Sequence, residues 1–153
     1  MPFPRLVRAV DEWAQRNRGV EIVAQVGKDT SPRTAALTAF ESVSPARFSE
    51  LVQACELVVA HAGMGSVLTA LEHDKPMLLM PRRAALQETR NDHQVATLRW
   101  LESKPGIYPA EDEAALQSAL DDWLARGLTA PAMGSERPES LRNLIETVRA
   151  FIA

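Results

Sequence analysis

The stretch VVAHAGMGSVLTALEHDKPMLLMPR, residues 58–82, holds two short apolar runs on either side of a helix-length segment. The first run, residues 57–60, leads into His61 and the glycines Gly63 and Gly65; the second, Met77–Met80, follows Lys75-Pro76 and is closed by Pro81. Continuous apolar runs this short, bounded by turn signals, suit parallel strands buried on both faces. Residues 66–73 between them read as a helix. Gly63 and Gly65 therefore lie at a strand-to-helix junction, where glycine lets backbone N–H groups approach a ligand and a helix N-terminus adds partial positive charge. Such a junction suits a phosphate. A plain Gly-rich turn with Ser66 as N-cap uses the same residues. The spacing completes neither a dinucleotide fingerprint, since Leu68 stands where a third glycine belongs, nor a P-loop, since no Gly-Lys-Ser/Thr follows.

Outward from this stretch the pattern alternates. Phe3, Leu6, Val7, Val10, Trp13 and Ala14 recur at helical spacing, which predicts a helix over 3–17 before Arg18-Gly19. Residues 20–26 read as a β-branched strand ending at Gly27, and 35–40 as a weaker one. Residues 45–55 read as helix, as do 92–103; a brief strand at 106–108 follows, then a helix carrying Leu116, Ala119, Leu120, Trp123 and Leu124. Leu141, Leu144, Ile145, Val148, Phe151 and Ile152 mark a last helix, reached across a Pro/Gly-containing connection at 126–138. This βαβα order predicts an α/β fold with a doubly wound, Rossmann-like parallel sheet and one domain over 1–153. In such sheets ligands bind beyond the carboxyl ends of the strands.

Composition bounds the function. The chain has 153 residues, 46% hydrophobic and 24% charged, enough for a core. Its 17 basic against 20 acidic residues, net charge -3, and the lack of a basic-aromatic stretch argue against nucleic acid as a ligand. The single cysteine, Cys55, rules out an internal disulfide and shares helical spacing with Phe48, Leu51 and Val52, as a core residue of a cytoplasmic protein does. No run approaches the roughly 20 apolar residues of a membrane span, and Arg5 and Arg8 precede no signal-peptide core. The histidines His61, His73 and His93 show no metal-ligand spacing, so no metal site is expected. His73, followed by Asp74, reads as a solvated helix C-cap. Trp13, Trp100 and Trp123 read as packing residues on helices. Arg82-Arg83, with Arg90, suits a phosphate ligand as well as it suits a charged loop. The connection 81–91 is long for a βα loop, which favours a ligand-facing role.

The combination His-Ala-Gly-x-Gly-Ser at residues 61–66, Lys75-Pro76, an apolar strand ending in Pro81-Arg82, and Asn91-Asp92-His93-Gln94 opening a helix resembles the signature of the C-terminal, donor-binding half of glycosyltransferase family 28. The resemblance covers nearly the whole chain. It is nearest to bacterial exopolysaccharide transferase subunits and to the catalytic subunit of the eukaryotic two-part transferase acting on dolichol-linked sugar. It implies half of a GT-B fold that binds a UDP-sugar, no further cofactor, and a separate, membrane-anchored subunit that binds a lipid-linked saccharide acceptor. The chain is then a catalytic subunit transferring a hexosyl group, as in exopolysaccharide biosynthesis, held at the inner face of the membrane through its partner.

By the same resemblance His61 orients the reacting groups, and Gly63, Met64, Gly65 and Ser66 face the UDP diphosphate. Arg82 and Asn91, Asp92, His93 and Gln94 face sugar and diphosphate from across the cleft, with Gln94 on sugar hydroxyls. Thr69 stands where similar enzymes carry an acidic residue for the ribose, and a hydroxyl is a weaker ligand than a carboxylate. Relatives also begin with a strand in the middle of the sheet, before the helix that starts here at Pro2-Phe3. Without it, strand edges stay unpaired or neighbours close the gap: either the start is misassigned or truncated, or the chain tolerates the loss by rearrangement or homo-oligomerisation. A non-catalytic binding or scaffold module on the same fold is the alternative.

Overall fold

The computed structural model describes residues 2–128 together with Glu139, Asn143 and Glu146. Helix α1, Pro4–Arg16, opens with proline in its first turn, where a missing N–H costs nothing. Its buried face carries Ala9, Trp13 and Ala14, and also Arg5 and Asp11. Strand β1, Val23–Gln25, is shorter than the predicted run. It ends before Gly27, whose φ of +61° turns the chain. Strand β2 is Thr38–Phe40. Helix α2, Pro45–Ala54, is capped by Ser44, whose Oγ accepts from the Arg47 amide at 3.2 Å.

The decisive stretch then unfolds in order: β3, Val58–His61; α3, Met64–Glu72; β4, Met77–Met80. Helix α3 starts earlier than the sequence suggests, with Gly63 rather than Ser66 at the N-cap. The Gly63 carbonyl already accepts from the Val67 amide at 3.2 Å, which places Ser66 inside the first turn. Helix α4, His93–Leu101, strand β5, Ile107–Pro109, and helix α5, Glu113–Arg126, complete the described fold. Asp112 caps α5 through its side chain, and Gly127, at φ +72°, ends it. The predicted last helix lies outside the described residues apart from three isolated positions.

All strand pairs are parallel, but among the described residues the strands form two sheets, β1-β2 and β3-β4-β5. Among the described residues one edge of β1 and one of β3 carry no strand. Helix α1 ties the two together. Asp11 accepts from Thr34 N and Oγ1 at 3.0 and 2.7 Å, while Val20 and Ile22 pack in the same cluster as Leu57 and Val59.

Strand β4 is the centre of the core. Its four residues are fully buried and alternate between faces with the two-residue period of a strand. Met77 and Leu79 face Val52, Val67, Leu71, Leu98 and Leu101, from α2, α3 and α4. Leu78 and Met80 face Phe3, which precedes α1, together with Trp13 of α1 and Leu116 and Leu120 of α5. Trp13 lies against Trp123 and donates to Asp121 Oδ1 at 2.8 Å, so a buried indole N–H is satisfied. Cys55 packs against the first of these faces. Trp100 departs from the packing role: it is 45% exposed, with the Lys104 ammonium above its ring.

Candidate functional site

His61 is the last residue of β3, and Gly63 starts α3 two residues on. The Gly63 amide donates to the His61 carbonyl at 2.7 Å, which folds the turn back and lays the imidazole across the glycine. A Cβ built on Gly63 would stand 2.6 Å from His61 Nδ1 and 3.0 Å from Nε2. A side chain there would have to push the imidazole aside. Gly65, by contrast, has helical backbone, and a Cβ on it meets nothing within 4 Å. The amides of Met64, Gly65 and Ser66 are first-turn donors without an intrahelical acceptor.

Burial, and then the positive charge of Arg82, push the His61 imidazole down to about 4. It is neutral at pH 7. Its Nδ1 is buried without a hydrogen-bond partner, while Gln94 hydrogen-bonds the ring. Gln94 also accepts from the Arg82 amide through Oε1 at 3.1 Å. A neutral imidazole with an orphaned nitrogen, a buried cation and a helix N-terminus stand at the carboxyl ends of adjacent strands. Such a set has the donors and the charge for an anion and a hydroxyl side by side.

The 81–92 connection supplies the second wall. It contains a 3-10 turn at Ala84–Leu86, closed by Gln87 with a left-handed φ of 56°. Arg82 is buried, its guanidinium 5.1 Å from the centroid of the Phe3 ring. Arg83 reaches Glu111 at 3.0 Å. Asp92 Oδ1 accepts from the Ala84 amide at 2.9 Å, and Asn91 Oδ1 from the His93 amide at 3.3 Å. Asn91, Asp92 and His93 are exposed. Asp92 and Gln94, expected to face the sugar, thus both hold backbone of this connection. Thr69 sits within α3 and donates to the Gly65 carbonyl at 3.1 Å. His73 is more than a solvated cap, since its Nε2 meets Ser49 Oγ at 2.8 Å.

Sequence reasoning missed Phe3, Arg5 and Glu88. Arg5 is buried on α1 and makes a two-pronged ion pair with Glu88, at 2.7 and 2.9 Å, from within the 81–92 connection. Arg5 stands four residues before Ala9 on the apolar face of the helix, a position where a cation signals a buried partner. An open cleft of about 360 Å³ runs between this connection and α4, lined by Arg83, Ala85, Asp92, Val95, Ala96 and Arg99. Another, about 230 Å³, lies at the ends of β1 and β2. Neither is lined by His61 or Gly63. Among the described residues no cluster of histidine, cysteine and carboxylate side chains is arranged to hold a metal ion. No described helix is long and apolar enough to cross a membrane.

The parallel strands with helices on both faces of β4 are those of a Rossmann-like half of a GT-B fold. Residues 2–148 match the glycosyltransferase family 28 C-terminal domain, and the chain belongs to that family of UDP-dependent glycosyltransferases. The fold is similar to the NMR solution structure of ALG13, with a TM-score of 0.64 and 21% identity over 97% of this chain and 92% of that one. It is also similar to spinosyn forosaminyltransferase SpnP, with a TM-score of 0.52 and 18% identity. This chain covers 33% of that one, about a third of its length. At these identities the likeness is one of fold. No curated protein sequence matches significantly.

Proposed function

We propose that this chain is the donor-binding, catalytic subunit of a two-component glycosyltransferase and carries its UDP-sugar at the junction of β3 and α3. The observation that carries the reading is the neutral His61 ring locked over Gly63 beside the buried Arg82 guanidinium. In this reading the first-turn amides of α3 and Arg82 take the diphosphate and stabilise the charge that grows on departing UDP. His61, being uncharged, orients through Nδ1 rather than by charge. Asn91, Asp92, His93 and Gln94, at the start of α4, face the sugar and diphosphate, with Gln94 on sugar hydroxyls, and Thr69 lies nearest the ribose in the same reading. The base that activates the acceptor hydroxyl comes from the partner, because the reacting atoms meet between the two halves. That partner is a membrane-anchored subunit binding a lipid-linked saccharide, which holds this chain at the inner face of the membrane; exopolysaccharide synthesis is the setting that the resemblance implies.

Titrating the chain with UDP while following thermal unfolding tests the donor site. At a UDP concentration near 100 times the dissociation constant, stability rises by about 2.7 kcal/mol. No shift at millimolar UDP, alone or with the partner subunit, would count against it. A second reading, a non-catalytic module on the same fold, is favoured by one observation: among the described residues the strands form two separate sheets, β1-β2 and β3-β4-β5. UDP binding without sugar transfer in the presence of the acceptor subunit would support that module.

A further inference from the structure

The connection 81–92 is held by side chains that satisfy three successive backbone amides. Arg82 N donates to Gln94 Oε1 at 3.1 Å, Arg83 N to Glu88 Oε2 at 3.0 Å, and Ala84 N to Asp92 Oδ1 at 2.9 Å. Gln94 and Asp92 belong to the start of α4, the element that this connection itself leads into. Gln94 is also tied to the His61 ring of β3, and Glu88 is anchored on Arg5 of α1. Arg5 also donates to the Pro81 carbonyl at 2.9 Å and reaches Glu113, at the start of α5, at 3.3 Å. One guanidinium thus joins the end of β4, the middle of the connection and two helices.

The pair is expensive as a stabilising device. Its side chains are 9% and 10% exposed, and two charges taken that far out of water regain through attraction little more than they lose in hydration. What the arrangement supplies is geometry, because a planar fork against a carboxylate admits one orientation. There is also a charge to manage. The guanidiniums of Arg5 and Arg82 lie 5.4 and 5.1 Å from the same Phe3 ring, and the Glu88 carboxylate acts on both.

We propose that Arg5 and Glu88 are positioning residues that hold the 81–92 connection, and with it the Arg82 guanidinium, in the arrangement that receives the nucleotide diphosphate. This rests on the donor-site reading above. Neither residue touches the ligand; Arg5 acts through Glu88, and Glu88 through the Arg83 amide and the charge it presents to Arg82.

The test compares Arg5→Lys, which keeps the charge and loses the fork, and Glu88→Gln, which keeps the shape and loses the charge, with a control, Arg126→Gln, which loses an exposed ion pair to Asp122. Amide hydrogen exchange is read at residues 82–84 and along β3 and β4, and UDP affinity is measured by calorimetry at a temperature where every variant is folded. Both test variants are expected to exchange at least tenfold faster at 82–84 with β3 and β4 unchanged, and to bind UDP at least tenfold more weakly; the control matches the parent chain. Because either single variant can lose fold, Arg5→Met/Glu88→Met is measured too, in which two apolar side chains replace the pair. Its 82–84 exchange and UDP affinity are expected to stay impaired even where its Tm equals the parent's, which a merely structural role does not allow. Unchanged exchange at 82–84, or UDP affinity that recovers with Tm, overturns the proposal. Faster exchange in the variants of a parent chain that binds no UDP would sink the donor-site reading and leave the positioning of the connection standing.

Discussion

The imidazole of His61 lies across the α-carbon of Gly63, so the catalytic candidate and the glycine that starts α3 occupy one shared volume. Gly63→Ala should therefore drive the ring out of its pocket, costing about 1–3 kcal/mol as an overpacking change. In a His61→Ala background the same substitution should cost under about 0.5 kcal/mol, since the obstruction is gone. Urea denaturation of the four proteins of this cycle measures the difference as a coupling energy. Additive single and double variants would show that the ring and the glycine do not compete.

Gly65 behaves in the opposite way. Its backbone is helical and a methyl there meets nothing, so Gly65→Ala should stabilise the chain by roughly 0.5–1 kcal/mol, seen as a Tm higher by a few degrees. If the diphosphate approaches this backbone as proposed, the more stable variant should bind UDP no better than the parent chain. A lower Tm would contradict the open space seen at this position.

The proton balance of His61 sets a pH dependence. The unfolded chain takes up a proton near 6.5 and the folded chain holds out to about 4, so the unfolded state binds more protons between these values. Stability should fall as pH drops through that window, by at most about 3.4 kcal/mol, and should stop changing on this account below it. Glu88 adds a loss at lower pH: its carboxyl is held below the usual range by Arg5 against the opposing effect of burial, so its contribution is present above about 4.3 and disappears as pH falls through the folded value. Denaturant midpoints from pH 8 to pH 4 check the sign. In His61→Ala the slope between 6.5 and 4 should flatten.

Gln94→Glu places a carboxylate against the His61 ring and the Arg82 amide. The negative charge should raise the imidazole above its value of about 4 by a unit or more, which NMR titration of the ring protons reads directly. UDP affinity should fall at least tenfold through repulsion of the diphosphate. An imidazole that titrates as in the parent chain would mean that residue 94 does not face it.

The element order was legible because its signals are local. The run Met77–Met80 shows no alternation, and a strand without alternation has two apolar neighbours; the structure gives β4 helices on both faces. Proline after Ser44 marked the start of α2, and the apolar spacing of Leu116, Leu120 and Trp123 marked α5. The choice between the two glycines was not legible. Gly63 and Gly65 both permit the turn, and only the position of a side chain two residues away tells them apart.

Arg5 shows the same limit from the other side. As a residue type in the first turns of a helix it reads as surface charge, and its role depends on Glu88, 83 positions further along the chain. By itself the sequence determined the succession of strands and helices, the two-faced burial of β4 and the membership of His61, Gly63 and Arg82 in one family signature, because period, proline, glycine and motif spacing act over a few residues. The tertiary structure alone decided that the strands divide into two sheets, that His61 is neutral and that the 81–92 connection hangs on α1. Desolvation, ion pairing and strand pairing are set by groups that the chain brings together only once it has folded.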